Sequence, residues 1–370
     1  MLNINRPLYD YIIKNLGAYW QPHQEQVELN LNNSCEDNQW YLGTYFPRSF
    51  KESYTIFNDI YKALQEYGFC NYSTLNILDI GTGTGGQIFG LLQSIEENIT
   101  SPLNINIYSV DGNHDSMDIQ GNIFNNYWGK HTKNKLNITF YEYIFKNGDD
   151  ITSFVKNNFL DKGILFDIVF TFKALSEILQ YDKYIYQKTL MAVEKVLKED
   201  GFFILSDVTM KIKTAGYNYK YYIPFIINKN VSKYVEKNHK LNIIVPLCCF
   251  NNKLTCNREN CYTQCKIYSL MYTDTGIRQV ECKIDYKLFI KNGKLYDNLY
   301  ISLLKNLINT CSYGCLFKKN KNLSKCYCSE YGIFKDYFDV NNFDSTQFSL
   351  VKYKSLYHNR TEYILNNEVL

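Results

Sequence analysis

Residues 75–86 have the sequence Leu75-Asn76-Ile77-Leu78-Asp79-Ile80-Gly81-Thr82-Gly83-Thr84-Gly85-Gly86, in which a short apolar run leads directly into a glycine-rich turn. Beyond the turn, apolar residues recur at the spacing of one helix face, at Ile88, Leu91, Leu92 and Ile95. The pattern therefore predicts a buried strand, a tight turn and a helix, in that order.

Further apolar runs continue this alternation along the chain. The predicted strands cover residues 105–110, 138–141, 166–172 and 202–207. A helix is predicted before the last strand, where apolar residues from Leu190 to Leu197 follow helical spacing. Strands that alternate with helices at these lengths form βαβ units. We therefore predict an α/β fold with a doubly wound, mostly parallel, Rossmann-like sheet.

The chain divides into three regions by its sequence patterns. We predict a helical N-terminal extension at 1–70, a ligand-binding core at 71–210 and a Cys-rich C-terminal region at 211–370 that completes the sheet. The extension includes a helix over 48–68 with one apolar face. The pattern of residues 211–240 is ambiguous.

Two segments of the C-terminal region alternate in polarity and flank a turn. They are residues 266–272 and 280–290, separated by Thr273-Asp274-Thr275-Gly276, and we predict that they form a hairpin. A further helix is predicted at 299–308.

The glycine-rich turn has the properties of a ligand cradle. A strand that ends in such a turn before a helix presents backbone N–H groups and the positive end of a helix dipole. It could hold a pyrophosphate, as the G-x-G-x-x-G spacing of Gly81, Gly83 and Gly86 allows, or the amino-acid end of S-adenosylmethionine. Asp79 favours the second ligand, because a carboxylate repels pyrophosphate and attracts an ammonium and a sulfonium.

Four segments, in this order, resemble motifs of the class I S-adenosylmethionine-dependent methyltransferases. Ile77–Gly85 resembles the first motif, Val110–Asn113 the acidic end of the second strand, and Phe166–Val169 the fourth strand. Val196–Gly201 resembles the approach to the fifth strand, although Asp200 stands where Gly or Pro is common. The resemblance covers residues 75–210 and implies a sheet of the methyltransferase type.

The resemblance also implies roles for individual residues. The methionine part of the cofactor would be held by Asp79 and by the loop residues Gly81, Thr82, Gly83 and Gly85. Asp111, followed by Gly112, would bind the ribose hydroxyls, and either Glu142 or Tyr143 would lie beside the adenine. Lys173 would border the methyl group or the substrate.

The reaction implied is methyl transfer to an acceptor that the sequence does not identify. The Asn-Pro-Pro-Tyr motif of many amino-methylating enzymes is absent, since the fourth strand ends in Thr171-Phe172-Lys173-Ala174. No catalytic base is predicted. Glu177 and Asp207 lie near the expected substrate side, but such carboxylates are more typical of a helix surface or a loop.

Ten of the twelve cysteines lie between Cys248 and Cys328. Because four thiolates suffice for zinc or an iron–sulfur cluster, we predict Cys249, Cys256, Cys261 and Cys265 as metal ligands. Their spacing is not the regular C-x2-C of zinc ribbons, so ordinary reduced thiols and, less readily, disulfides stay open as alternatives.

A narrower resemblance concerns methyltransferase-like proteins tied to assembly of the mitochondrial small ribosomal subunit. Trp40–Pro47 is similar to the segment that precedes their fold, and Val245–Cys249 to the start of their cysteine motif, without its Pro-His. This resemblance implies an iron–sulfur cluster and a partner such as ribosomal RNA or the small ribosomal subunit. It also implies an alternative function, an assembly factor that keeps the fold with little catalysis.

The composition is that of an ordinary globular protein. Hydrophobic residues make up 45% and charged residues 21% of the chain, and a net charge of +3 is too small to indicate nucleic-acid binding by itself. The sequence contains no apolar run of transmembrane length and no secretory signal at its start. We therefore predict a cytoplasmic protein that does not span a membrane.

Elemental analysis of anaerobically purified protein tests the cysteine prediction. We expect bound metal, with iron and sulfide if the narrower resemblance is correct and zinc if the site is structural. Protein that contains neither metal would contradict the prediction and assign the cysteines to ordinary thiols.

Overall fold

The computed structural model describes residues 6–20, 35–66, 73–216, 220–235, 237, 240–245, 264–273, 276–297, 350–354 and 361–365. The helices are α1 (Arg6–Lys14), α2 (Cys35–Thr44), α3 (Phe46–Glu66), α4 (Gly86–Asn98), α5 (His114–Asn126), α6 (Gly148–Asn158), α7 (Leu175–Ile178), α8 (Ile185–Val196) and α9 (Ile223–Val235). The strands are β1 (Thr74–Ile80), β2 (Asn104–Asp111), β3 (Lys135–Glu142), β4 (Phe166–Phe172), β5 (Leu197–Val208), β6 (Lys211–Lys213), β7 (Lys220–Tyr222), β8 (Leu241–Val245), β9 (Gln264–Thr273), β10 (Gly276–Lys291), β11 (Leu350–Lys354) and β12 (Thr361–Leu365).

The main sheet has the strand order β3-β2-β1-β4-β5-β10-β8, and β9 pairs with β10. The first five strands in this order are mutually parallel, whereas β10 runs antiparallel to both β5 and β8. The chain moves outward from β1 to β3 and then returns to place β4 on the other side of β1. The order therefore reverses between β1 and β4.

Successive residues of the strands are buried on opposite faces of the sheet. Ile77, Ile107 and Phe170 pack on the face covered by α1, α3, α4 and α5. Leu78 and Phe203 pack on the face covered by α6, α8 and α9. Because the central strands are buried on both faces, their sequences are continuous apolar runs instead of alternating ones.

The N-terminal helices share the core of the first face with the sheet. Tyr54 and Phe57 on α3 are buried together with Ile88 on α4. The two helices approach so closely at Gly90 that a Cβ atom there would lie 2.2 Å from the carbonyl oxygen of Phe50. Glycine at this position is what allows α3 and α4 to pack this closely.

The predicted doubly wound, mostly parallel sheet is confirmed, and each strand predicted between 75 and 207 is present. The predicted helix at 48–68 is α3, and the predicted hairpin is formed by β9 and β10. The ambiguous segment at 211–240 contains β6, β7 and α9. The helix predicted at 299–308 lies outside the described residues.

The described part of the chain contains no helix that combines the length and the apolar character needed to cross a membrane.

Replacing Gly90 by Ala tests the close approach of α3 and α4. We expect the free energy of unfolding to fall by about 3 kcal/mol, because the added methyl group overlaps the Phe50 carbonyl and forces the helices apart. Denaturant titration measures the change. In the control Gly121→Ala on α5, the new Cβ meets the Phe140 ring at an ordinary 3.5 Å, so helix propensity should stabilise the protein by up to about 1 kcal/mol. Equal effects of the two changes would contradict the packing.

Candidate cofactor-binding site

The reversal of strand order places a crevice at the carboxyl ends of β1 and β4. Ligands of open α/β sheets bind in such a crevice, just beyond the carboxyl ends of the strands. The turn after β1 (residues 81–85), Asp111 at the end of β2 and Lys173 after β4 all lie at this edge of the sheet. The topology therefore brings together the loop, Asp111 and Lys173 of the predicted cofactor set.

The turn is anchored to the neighbouring strand by its backbone. The amides of Gly81 and Thr82 both donate to the carbonyl oxygen of Val110, at 2.8 and 3.1 Å. Gly81 has φ 77°, and a Cβ atom there would lie 2.1 Å from the Cβ of Ala174. Both its backbone conformation and its contact with the segment after β4 therefore require glycine.

Asp79 is completely buried beneath the turn. Its Oδ2 lies 2.8 Å from the hydroxyl of Thr82, and its Oδ1 lies 3.5 Å from Nε2 of Gln87. The Gln87 amide also donates to the carbonyl oxygens of Gly81 and Thr82, at 3.1 and 2.9 Å. Asp79 and Gln87 thus hold the turn from below, and the Asp79 carboxyl group itself has no exposed surface.

Burial raises the pKa of Asp79 to about 8, although hydrogen bonds from Thr82 and Gln87 oppose the shift and the charge of Asp111 adds to it. The hydrogen-bond geometry agrees with a protonated group. The Thr82 hydroxyl lies 2.8 Å from Asp79 and 3.0 Å from Oε1 of Gln120, yet it has one proton. With Gln120 in this orientation, both contacts are satisfied if Asp79 donates to Thr82 and Thr82 donates to Gln120.

Asp111 ties the turn to the end of β2. Its Oδ2 accepts the Gly83 amide at 2.7 Å, and its Oδ1 accepts the Asn113 amide at 2.9 Å. Burial raises the pKa of Asp111, while hydrogen bonds from the amides of Gly83, Asn113 and Gly112 oppose the shift. Each carboxylate oxygen can accept a further hydrogen bond, which is what the predicted contact with ribose hydroxyls requires.

Tyr41 from α2 and Glu177 from α7 complete the walls of the crevice. A Cβ atom on Gly83 would lie 3.8 Å from Cε1 of the Tyr41 ring. Burial raises the pKa of Tyr41, and the charges of Glu177 and Asp111 raise it further. Burial, followed by the charges of Asp111 and Asp207, likewise raises the pKa of Glu177 well above its usual value.

Tyr41, Asp111 and Glu177 each keep part of their surface exposed, even though burial shifts their pKa values. Side chains that are both surrounded and partly accessible line a concave surface. Four elements therefore contribute to one cleft: α2, the glycine-rich turn, the end of β2 and α7. We refer to this cleft, lined by Tyr41, Gly83, Asp111 and Glu177, as the acidic cleft.

Lys173 is held by an ion pair with the N-terminal helices. Its Nζ lies 2.5 Å from Oε2 of Glu52 on α3, whose side chain is 1% exposed. Its backbone is in the left-handed region at φ 62°, which is costly for a residue with a Cβ atom, and its amide donates to the carbonyl oxygen of Ser206 at 2.9 Å. The predicted contact with the methyl group or the substrate stays a prediction.

The two predicted neighbours of the adenine, Glu142 and Tyr143, lie at and after the end of β3. The amide of Tyr143 donates to the carbonyl oxygen of Asp111 at 2.8 Å, and its half-exposed ring packs on Phe145 and Phe154. The alternative adenine neighbour, Glu142, contacts His114 at 3.1 Å.

Asp207 is fully buried, unlike the surface carboxylate that its sequence context suggests. It accepts hydrogen bonds from the Tyr186 hydroxyl at 2.8 Å and from the Ser176 amide at 3.0 Å. The carboxyl group therefore fixes the start of α7, the helix that carries Glu177.

The predicted metal ligands fall almost entirely outside the described residues. Cys249, Cys256 and Cys261 are not among them, and Cys265 lies on β9 opposite Ile284. Within the described ranges, no three His, Cys, Asp or Glu side chains are grouped closely enough to hold a metal ion. Zinc or iron–sulfur binding by the cysteines stays a prediction.

No family model matches the chain. No curated protein matches it either. Among solved structures, it is similar to a protein assigned as a class I S-adenosylmethionine-dependent methyltransferase from Listeria monocytogenes, with 12% identity and a TM-score of 0.39 over 76% of this chain and 66% of the other. It is also similar to magnesium protoporphyrin IX methyltransferase from Synechocystis, solved with bound S-adenosylmethionine, with 12% identity and a TM-score of 0.37 over 72% and 99%.

A protein assigned as an RNA methyltransferase from Pyrococcus horikoshii has 12% identity and a TM-score of 0.36 over 77% of this chain and 99% of the other. The strand order and connections described above form a doubly wound, mostly parallel, Rossmann-like sheet, as predicted.

The pKa of Asp79 predicts a specific pH dependence of stability. A carboxyl group whose pKa is raised on folding binds its proton more tightly in the folded state, so its contribution destabilises the protein progressively as the pH rises from about 4 to about 8. In Asp79→Asn this titration is removed, while the side-chain amide can still donate a hydrogen bond to the Thr82 hydroxyl.

We therefore expect Asp79→Asn to gain stability relative to the original protein between pH 5 and pH 8, by up to about 1.4 kcal/mol per pH unit. Denaturant unfolding at several pH values measures this difference. A difference that does not change with pH would show that Asp79 is already ionised in the folded protein.

Proposed function

We propose that this protein binds S-adenosylmethionine in the acidic cleft and transfers its methyl group to an acceptor. The observation that carries the proposal is the concentration of acidic groups around the glycine-rich turn. Asp79 lies directly beneath it, and Asp111 and Glu177 face the cleft. Of the described residues at this edge, Lys173 has a positive charge, and Glu52 already neutralises it.

This charge distribution discriminates between the two ligands that a glycine-rich turn can hold. A pyrophosphate would bring two negative charges next to these carboxyl groups, at a cost that grows as water is excluded. A ligand with an ammonium and a sulfonium would be attracted by the same groups. The acidic cleft therefore favours S-adenosylmethionine over a nicotinamide or flavin dinucleotide.

When bound, S-adenosylmethionine supplies a methyl carbon that its sulfonium has already activated. The protein then has to bind the cofactor and the methyl acceptor, orient them towards each other and exclude water. Gly81 and Gly83 permit close approach of the ligand to the main chain, and Asp111 offers lone pairs for the ribose hydroxyls. A positive charge bound above the turn would lower the pKa of Asp79. The carboxyl group would then ionise and attract the bound cation.

Of the side chains that line the acidic cleft, Glu177 is best suited to take a proton from the molecule that receives the methyl group. Its pKa is raised by burial and by Asp111 and Asp207, which brings a carboxylate closer to the basicity needed near neutral pH. Its position on α7, at the carboxyl end of β4, is on the side from which an acceptor would approach. We assign it the role of general base for acceptors that must lose a proton.

Calorimetric binding of S-adenosylmethionine tests the ligand assignment. At pH 7, titrations in buffers of different ionisation enthalpy should show release of close to one proton per ligand, because Asp79 changes from protonated to ionised. The affinity should rise between pH 6 and pH 8, by up to about tenfold per pH unit. Asp79→Asn should reduce the proton release, whereas the control Asp161→Asn, at an exposed site, should leave it unchanged. Absence of binding at every pH would overturn the proposal.

Transfer of labelled methyl groups tests the activity itself. Incubation with methyl-labelled S-adenosylmethionine and fractionated RNA, protein and metabolites should label one fraction. Asp111→Ala should weaken cofactor binding by about 1–3 kcal/mol, the scale of a lost charge-assisted hydrogen bond. Glu177→Gln should lower the turnover by a larger factor than it weakens cofactor binding, because it removes the proton acceptor as well as one acidic group of the cleft. Cofactor binding without labelling of any fraction would contradict methyl transfer and favour the assembly-factor alternative.

A further inference from the structure

A second groove shares no lining residue with the acidic cleft. It lies on the outer surface of α6, α8 and α9, which cover the second face of the sheet, and it encloses a cavity of about 480 Å³. Side chains that line it include Tyr184, Lys188, Met191, Lys195, Lys233 and Lys237. We call this the lysine groove.

The lysine groove carries an uncompensated positive charge. Lys188 is paired at 2.7 Å with Asp149, a carboxylate that also lines the groove, and at 3.1 Å with Asp182. Across the described residues, by contrast, no carboxylate lies within ion-pair distance of Lys195, Lys233 or Lys237. The groove therefore has the charge of a site for an anion, although the net charge of the whole chain is only +3.

An aromatic ring and an apolar side chain are accessible among these cations. The Tyr184 side chain is 36% exposed, and the exposed fraction of Met191 is 37%. The Nζ atoms of Lys233 and Lys183 lie 4.6 and 5.2 Å from the centroid of the Tyr184 ring. The wall of the groove therefore combines positive charge with a flat apolar surface.

We infer that the lysine groove binds a single-stranded nucleic acid through its phosphodiester backbone. Lysine ammonium groups are compact charges that pair with phosphates without a fixed orientation, whereas recognition of carboxylates in an acidic peptide is typically built on arginine forks. Single-stranded binders combine cations along the backbone with aromatic rings beside them, and here one partly exposed ring, Tyr184, lies among the lysines.

The arrangement on α8 fits a chain that extends along the groove. Lys188 and Lys195 are seven residues apart and therefore lie on the same helix face, about 10 Å apart along its axis. Lys233 and Lys237 are contributed by α9 and by the segment directly after it. The inference does not depend on methyl transfer, because none of these residues lies in the acidic cleft.

Fluorescence anisotropy with labelled oligonucleotides tests the inference. The probes are an oligouridylate and an oligothymidylate of about 20 nucleotides, which distinguish RNA from DNA as the source of the backbone. The groove variant is Lys195→Glu, Lys233→Glu and Lys237→Glu combined. The control combines Lys130→Glu, Lys135→Glu and Lys162→Glu, which change the net charge equally at exposed sites outside the groove.

The groove variant should bind at least about tenfold more weakly than the original protein, and the control should stay within about threefold. The slope of log K against log salt should also become shallower by about 2, as expected for three lost contacts to a single strand. Equal losses in the two variants, or no binding of either oligonucleotide by the original protein, would overturn the inference. Displacement of the oligonucleotide by polyglutamate at equal charge concentration would also overturn it, in favour of an acidic protein segment.

Two further measurements separate this result from other causes. The corresponding Lys→Gln variant removes the same charges without adding new ones, and it should show the same direction of change if the Glu variant is poorly folded. S-adenosylmethionine affinity of the groove variant should equal that of the original protein. Failure of the original protein to bind S-adenosylmethionine would reject the proposed function and leave the oligonucleotide result standing.

Discussion

A hydrogen-bonded chain that starts at a buried carboxyl group holds the glycine-rich turn in place. It runs from Asp79 on β1 through Thr82 in the turn to Gln120 on α5 and Ser109 on β2, with contacts of 2.8, 3.0 and 3.1 Å. Buried donors and acceptors need partners, and with the Gln120 amide oxygen turned towards Thr82, the single proton of Thr82 serves both neighbours when Asp79 carries a proton. One protonation state thereby links the turn with β1, α5 and β2.

This hydrogen-bonding constraint gives Asp79, the acidic residue before the glycines, a different charge state from the one that the sequence suggests. The sequence suggests a permanent negative charge that attracts a cation. The structure has instead a carboxyl group with a pKa of about 8, neutral for the most part at pH 7, beneath a turn whose outer side faces Asp111 and Glu177. A neutral Asp79 avoids the cost of an unpaired buried charge, and a cation above the turn would lower its pKa. The same group can therefore stabilise the empty turn and favour a positively charged ligand.

The elements that the sequence predicts best are those whose signal is local. The central strands are long apolar runs because both their faces are buried, and α3 has an apolar stripe at helical spacing. Helices α5 and α6 are less apparent, since they begin at Asn113 and Asn147, whose side chains accept amides of the first turn within otherwise polar sequence. These Asn caps are the signal that could have revealed them.

In the candidate site too, the residues with a local sequence signal were predictable and those placed by packing were not. The glycines and Asp111 are recognisable from their order along the chain. Tyr41 is not, because it reaches Gly83 only through the packing of the N-terminal helices, and neither is the protonation of Asp79, which depends on burial. The lysine groove combines α8 with α9 and the residues after it, so that no single segment of sequence contains its charge pattern.

The central claim is that the turn selects a cationic sulfur ligand over an anionic dinucleotide. Calorimetric titrations of the same protein sample at pH 8, one with S-adenosylmethionine and one with oxidised nicotinamide adenine dinucleotide, compare the two ligands most directly. We expect saturable binding of S-adenosylmethionine and no measurable binding of the dinucleotide. Binding of the dinucleotide without binding of S-adenosylmethionine would contradict the central claim.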